Sequence, residues 1–195
     1  MRGRRPRRWS NSGRTCDDGY TASPADERFG LAAQLLHWVM AVAIIAMLVL
    51  GALLVGSLGD YPMVLAWHKA IGVLVLVLAV LRIGNRIWHR PPPLSLAGPE
   101  RFIAAGSELA MYTLFLAQPV IGWALVSASG VPVEIAGLRL PSITPTSVQW
   151  YGLLRETHAW VAYGLLACIV AHVSAVLFHT IGLRDRLLSR MLPRH

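Results

Sequence analysis

Histidines within or at the edge of long apolar stretches are the residues of this chain best suited to do chemistry. The stretches Leu31 to Leu58 and Thr157 to Leu183 contain no Asp, Glu, Lys or Arg, and a third runs from Leu109 to Val133. An ionisable side chain in such a segment is costly in lipid and marks a functional site by default. The histidines concerned are His37, His68, His158, His172 and His179.

The spacing of His158 and His172 indicates that both lie on one face of a helix. They are 14 residues apart, which in an α-helix is about 1400° of rotation, close to four full turns, and about 21 Å of rise. One helix therefore presents two imidazoles at two depths. Imidazole is a common axial ligand of haem iron, and helix bundles hold cofactors through side chains that project from facing helices.

Four predicted helices position these histidines. A bilayer core requires roughly 20 apolar residues per helix, and glycines and prolines separate the segments. The predicted helices span residues 29–58, 63–88, 100–127 and 150–183, and the loop at 128–149 has room for a short strand or helix. The fold class is therefore all-α, an integral membrane four-helix bundle. Cations near the helix ends, Arg82 among them, are expected to extend to the interface.

The composition and charge distribution support this assignment. The chain is 55% hydrophobic and 14% charged, with a mean hydropathy of +0.52. A cytoplasmic N-terminus places residues 1–28, 82–101 and 184–195 on the cytoplasmic side, with 15 of the 18 Lys and Arg. The positive-inside rule thus predicts that both termini are cytoplasmic. The net charge of +8 is assigned to membrane flanks and not to nucleic-acid binding.

The chain divides into three predicted segments. Residues 1–27 are predicted to be a disordered, Arg-rich tail because they lack an apolar period. Residues 28–184 form the four-helix di-haem domain, and residues 185–195 form a cationic cytoplasmic tail.

Helix direction predicts which histidines meet. Helix 1 starts on the cytoplasmic side, so His37 lies in the same half as His172. Helices 2 and 4 start on the periplasmic side, so His68 lies at the depth of His158. The sequence therefore predicts two stacked bis-histidine haem sites. His179 is an alternative to His172, or a hydrogen-bonding contact for a quinone.

Short motifs in matching order resemble the prokaryotic cytochrome b561 family, bacterial four-helix di-haem membrane cytochromes. The motifs are LHW (36–38), WHKAIG (67–72), QPVIG (118–122), ETH (156–158), AH (171–172) and RMLP (190–193). The resemblance covers residues 28–194 and implies two haem b groups on His37, His68, His158 and His172. It also implies ubiquinone as redox partner and, for some members, superoxide oxidation at the periplasmic face.

Two cations beside the predicted periplasmic haem ligands are candidates for contact with substrate. Lys69 and Arg155 could attract an anion such as superoxide. Interfacial anchoring or pairing with a haem propionate is the other interpretation of both residues.

The residues alone are compatible with three functions. The first is a stand-alone oxidoreductase that exchanges electrons with quinone, and the second is an anchor subunit that relays electrons from a separate dehydrogenase or hydrogenase. The third is a histidine-based metal or ion transporter. For that function Glu108, near the cytoplasmic end of helix 3, is the available carboxylate.

Overall fold

The fold consists of four long helices. The computed structural model describes residues 30–56, 59–89, 98–135 and 137–182, so the predicted tails at 1–27 and 185–195 lie outside the described residues. The helices are α1 (Leu31–Gly56), α2 (Tyr61–Trp88), α3 (Pro99–Ala128) and α4 (Val148–Leu177), and a π-helical turn, Phe178–Gly182, continues α4. Each is long and apolar enough to cross a bilayer. The prediction of an all-α protein with four membrane helices is confirmed.

Local sequence signals explain where the helices start. The turn at Gly59 and Asp60 precedes α2, which carries Pro62 in its first turn, and α3 begins at Pro99. Proline fits the first helical turn because the N–H it lacks would have no helical partner there. At the start of α4 the Ser147 hydroxyl accepts a hydrogen bond from the Trp150 N–H at 3.4 Å, which caps the helix.

A β-hairpin occupies the loop between α3 and α4. Strand β1 (Val133–Ile135) pairs antiparallel with β2 (Leu138–Leu140), and Gly137 in the connecting turn has a φ of 80°, which favours glycine. The prediction of a short element in this loop is confirmed. Val133 is buried, and β1 packs against α2 and α3. The hairpin therefore covers one end of the bundle, here called the loop end. The opposite end, where α1 begins and α2 ends, is the tail end.

The helices pack as two pairs. Helix α1 lies along α2, α3 lies along α4, and α2 contacts α3, whereas α4 is packed much more sparsely against α1 and α2. The shared core is formed mainly by α1 and α2, with one residue from α4: Met40, Ala43, Ile44, Val75, Leu78, Ala79 and Leu165. The backbones of α1 and α2 are thus close together, whereas the backbone of α4 lies farther from that pair.

Much of the apolar surface is exposed on the outside of the bundle. Val55 is 88% exposed and Phe102 is 79% exposed, and many other leucines, valines and aromatic residues are similarly open. A soluble protein rarely presents apolar surface on this scale. In a bilayer the same surface is covered by lipid, which agrees with helices that span the membrane.

Met40→Ala should destabilise the bundle because Met40, in α1, is 1% exposed and packs in the core. Its truncation leaves a cavity, and we expect a loss of about 2 kcal/mol in the free energy of unfolding. Val55→Ala on the lipid-facing side of the same helix is the control and should change it by less than about 0.5 kcal/mol. Unfolding by denaturing detergent in mixed micelles measures both. Equal losses for the two variants would contradict the assigned core.

Candidate functional site

His68 of α2 and His158 of α4 face each other toward the loop end of the bundle. Their ring centroids are 6.3 Å apart and the rings are inclined at 70°. Both side chains are half-buried, and Nδ1 of each ring is buried with no hydrogen-bond partner among the described residues. Two imidazoles with unsatisfied nitrogens thus meet across the sparsely packed gap between α2 and α4.

Helices α1 and α3 complete this site with two glycines and a glutamine. A β-carbon at Gly51 would lie 3.7 Å from Cε1 of His68, and one at Gly122 would lie 3.1 Å from Cε1 of His158. Gln118 donates from its side-chain amide to the His158 carbonyl oxygen at 3.0 Å, and the same nitrogen lies 3.3 Å from His158 Nε2. The glycines leave room for the rings, and Gln118 fixes the position of His158 relative to α3.

The His68–His158 site has the donors and the space for a haem iron. The ring centroids are 6.3 Å apart and a metal–imidazole bond is about 2 Å long, so one metal could be held by both rings. A buried imidazole nitrogen without a partner is also costly, which indicates that each ring has capacity for a further partner.

His37 of α1 and His172 of α4 form the second group, toward the tail end. Nη1 of Arg82 lies 3.0 Å from Nδ1 of His37, and Nε of Arg82 donates to the Tyr112 hydroxyl at 3.3 Å. His172 is close enough to interact electrostatically with both His37 and Arg82. The His37–His172 site therefore contains a cation as well as two imidazoles.

The position of Arg82 differs from the interfacial position expected from the sequence. Arg82 is half-buried and directed into the bundle, whereas Arg86 is exposed and forms a salt bridge with Glu108 at 2.8 Å. The charge pattern alone groups Arg82 with the other cations at the end of α2. A signal was available, because Arg82 precedes the last residue of α2 by six residues, which is about 9 Å of helix rise.

The remaining predicted residues lie around these two sites. His179 is in the π-helical turn, with its ring against Phe178 at a centroid distance of 6.1 Å. His179 is seven residues beyond His172, a spacing that puts both on one face of a continuous α-helix, but a π turn alters that register. Lys69 is half-buried and Arg155 is exposed, each on the helix of a loop-end histidine. Sequence reasoning gave Gln118, Gly122 and Tyr112 no role.

Comparison with known proteins identifies the family. A model of the family described as "Prokaryotic cytochrome b561" matches residues 28–194. The chain belongs to this family. It is 31% identical over 175 residues to cytochrome b561 homolog 1 of Escherichia coli K12, which covers 86% of this chain and 98% of that protein. It is 29% identical over 181 residues to cytochrome b561 homolog 2 of the same organism, which covers 90% and 95%.

A further relative has a name that states an activity. The chain is 28% identical over 130 residues to the probable superoxide oxidase CybB of Yersinia pestis, which covers 65% of this chain and 73% of that protein. Membership of the cytochrome b561 family makes the chain a prokaryotic membrane electron-transfer protein and implies haem. The donors present fit that group, since imidazoles are common axial ligands of haem iron.

Gly122→Ala should disturb the His68–His158 site, whereas Gly51→Ala should not. The new β-carbon at Gly122 would approach His158 Cε1 to 3.1 Å and displace the ring, but the 3.7 Å approach at Gly51 is an ordinary contact. Both changes add the same methyl group to a helix, where alanine is favoured over glycine by about 1 kcal/mol. Low-temperature electron paramagnetic resonance of the purified, haem-loaded variants should show one shifted low-spin signal for Gly122→Ala only. Identical spectra for both variants would contradict the geometry.

Proposed function

We propose that the chain is a di-haem cytochrome b that carries electrons across the bacterial inner membrane to or from ubiquinone. His68 and His158 hold one haem b, and His37 and His172 hold the other. The observation that carries the proposal is the 6.3 Å separation of the His68 and His158 rings across the gap beside α4. The position of His172 on α4, 14 residues beyond His158, supports the second site.

The placement of the two sites suits transfer of electrons through the membrane. His158 and His172 are 14 residues apart on α4, which corresponds to about 21 Å along the axis, so the sites lie at two depths. Haem supplies the one-electron chemistry when bound, and the protein sets its potential through ligands, hydrogen bonds and polarity. Here α1, α2 and α4 provide the ligands, while α3 provides Gln118 beside one site and Tyr112 beside the other.

The proposed orientation places both termini in the cytoplasm. The positive-inside rule supports it, since the cationic flanks gather on one side. In that orientation the His68–His158 site faces the periplasm, and the His37–His172 site faces the cytoplasm.

Superoxide is the proposed electron donor at the periplasmic face. The name of the Yersinia relative, a probable superoxide oxidase, supports this substrate. Lys69 and Arg155 lie near the site on α2 and α4, and among the described residues neither forms a salt bridge. Unpaired cations at the mouth of a site raise the local concentration of an anionic substrate.

Single histidine variants should remove one haem each. His68→Ala or His158→Ala should abolish the haem at the loop end and leave the other, and His37→Ala or His172→Ala should do the reverse, because a bis-histidine site fails without either ligand. Pyridine haemochrome assays should show the haem content per protein falling by half. Redox titration should show which component is lost.

His179→Ala is the matched control on the same helix as His172. We expect it to retain both haems, since the proposed ligand pair is His37 and His172. Full haem content in His172→Ala together with loss in His179→Ala would assign the ligand to His179 instead.

Purified protein, without any partner, should reduce a soluble ubiquinone analogue when superoxide is supplied. Lys69→Gln with Arg155→Gln should slow this reaction several-fold at low ionic strength and much less at high salt, because attraction between exposed charges is screened. Stopped-flow absorbance of the haem bands measures the rate. No superoxide-dependent reduction of either haem would favour the alternative, an anchor subunit that requires a separate dehydrogenase.

A further inference from the structure

Arg82 has an unusual set of partners for a cation within a membrane helix. Its guanidinium contacts His37 Nδ1 at 3.0 Å and the Tyr112 hydroxyl at 3.3 Å. Arg86, one turn away, is neutralised by Glu108. In the part of the chain that the structure describes, Arg82 forms no salt bridge with a carboxylate. A half-buried, permanently charged group thus relies on two neutral partners.

The bond from Arg82 to His37 is incompatible with iron on His37. Arginine is only a donor, so Nδ1 of His37 must offer its lone pair, and the proton of the neutral ring is then on Nε2. Iron binding through Nε2 requires the lone pair on Nε2, which places the proton on Nδ1, opposite the arginine donor. Iron binding through Nδ1 consumes the lone pair that Arg82 uses. Either mode of ligation breaks this hydrogen bond.

With haem iron on His37, the Arg82 guanidinium therefore needs a different hydrogen-bond acceptor. Haem b itself brings carboxylates on its propionate side chains. A carboxylate matches the fork of donors on arginine and forms charge-assisted hydrogen bonds, which are roughly twice as strong as neutral ones. A charge inside a membrane protein is expected to pair in this way.

We propose that Arg82 is the carboxylate anchor of the haem held by His37 and His172, where its guanidinium would donate to a propionate. The inference rests on the proposed haem at this site. Tyr112 holds the guanidinium in place, since its hydroxyl accepts from Nε and its ring lies under the guanidinium carbon at 5.8 Å. Arg82 is thus a positioning residue for the cofactor.

The anchor has a measurable electrostatic consequence. When Arg82 neutralises the propionate, its removal exposes the iron to an uncompensated negative charge, which stabilises the ferric form. Arg82→Gln should therefore lower the reduction potential of this haem. We expect about a tenfold change in the ratio of reduced to oxidised haem at a fixed potential, equivalent to about 59 mV for one electron. The haem at the other site serves as the internal reference.

The test compares variants reconstituted with haem b and with haem b dimethyl ester, whose propionates carry no charge. With haem b, Arg82→Gln should lower the reduction potential and speed the loss of haem. Arg82→Lys should have smaller effects, because lysine keeps the positive charge but lacks the paired donors that bind a carboxylate in a bidentate way. With the ester, which offers no carboxylate for Arg82 to bind, wild type and both variants should lose haem from this site at nearly equal rates. Arg86→Gln, on the same face and already paired with Glu108, is the matched control and should change the rate of haem loss of neither form by a comparable amount.

The opposing outcomes are distinct. Equally faster haem loss with the ester and with haem b would overturn the anchor and assign Arg82 to a different anion, such as a reduced quinone. Unchanged loss of haem b in Arg82→Gln would also overturn it. If Arg82→Gln does not retain haem at this site, Arg82→Lys carries the comparison. Full haem content in both His37→Ala and His172→Ala would instead overturn the haem site itself, independently of Arg82.

Discussion

The structure depends on two buried imidazoles that face each other with nitrogens left unsatisfied. Nδ1 of His68 and of His158 is buried without a partner among the described residues, and a buried, unsatisfied nitrogen costs about 1–3 kcal/mol. A haem iron held by both rings, as proposed, would join α2 to α4, which are otherwise sparsely packed. The tight pairing of α1 with α2 and of α3 with α4 then serves to hold the rings across this gap.

The two sites differ in their electrical surroundings. The His68–His158 site is bordered by Gly51, Gly122 and the neutral Gln118, whereas the His37–His172 site contains the Arg82 guanidinium. Hydrogen bonds and charge near a haem tune its potential. If each site holds a haem b, as proposed, the two haems are expected to have different potentials, which would give electron flow through the bundle a preferred direction.

The sequence was sufficient for the helices because their apolar stretches are long and their ends carry proline, glycine or charge. The positions of the histidines along antiparallel helices were also sufficient to predict that His68 lies opposite His158, since the rise per residue of a helix is fixed. The depth of Arg82, six residues before the end of α2, could be read in the same way. The sequence could not predict its contact with His37, which depends on the distance between α1 and α2, or the 3.1 Å approach at Gly122, which depends on how α3 crosses α4. The π turn at Phe178 has no local sequence signal that we recognise, and we have no physical account of it.

The most direct test of the central claim is a combined redox and electron paramagnetic resonance titration of the purified wild-type protein. The account predicts two one-electron b-type components in equal amounts, both low-spin in the ferric state because each iron has two strong imidazole ligands. A single component, or a high-spin ferric signal from a haem with one axial histidine, would contradict it.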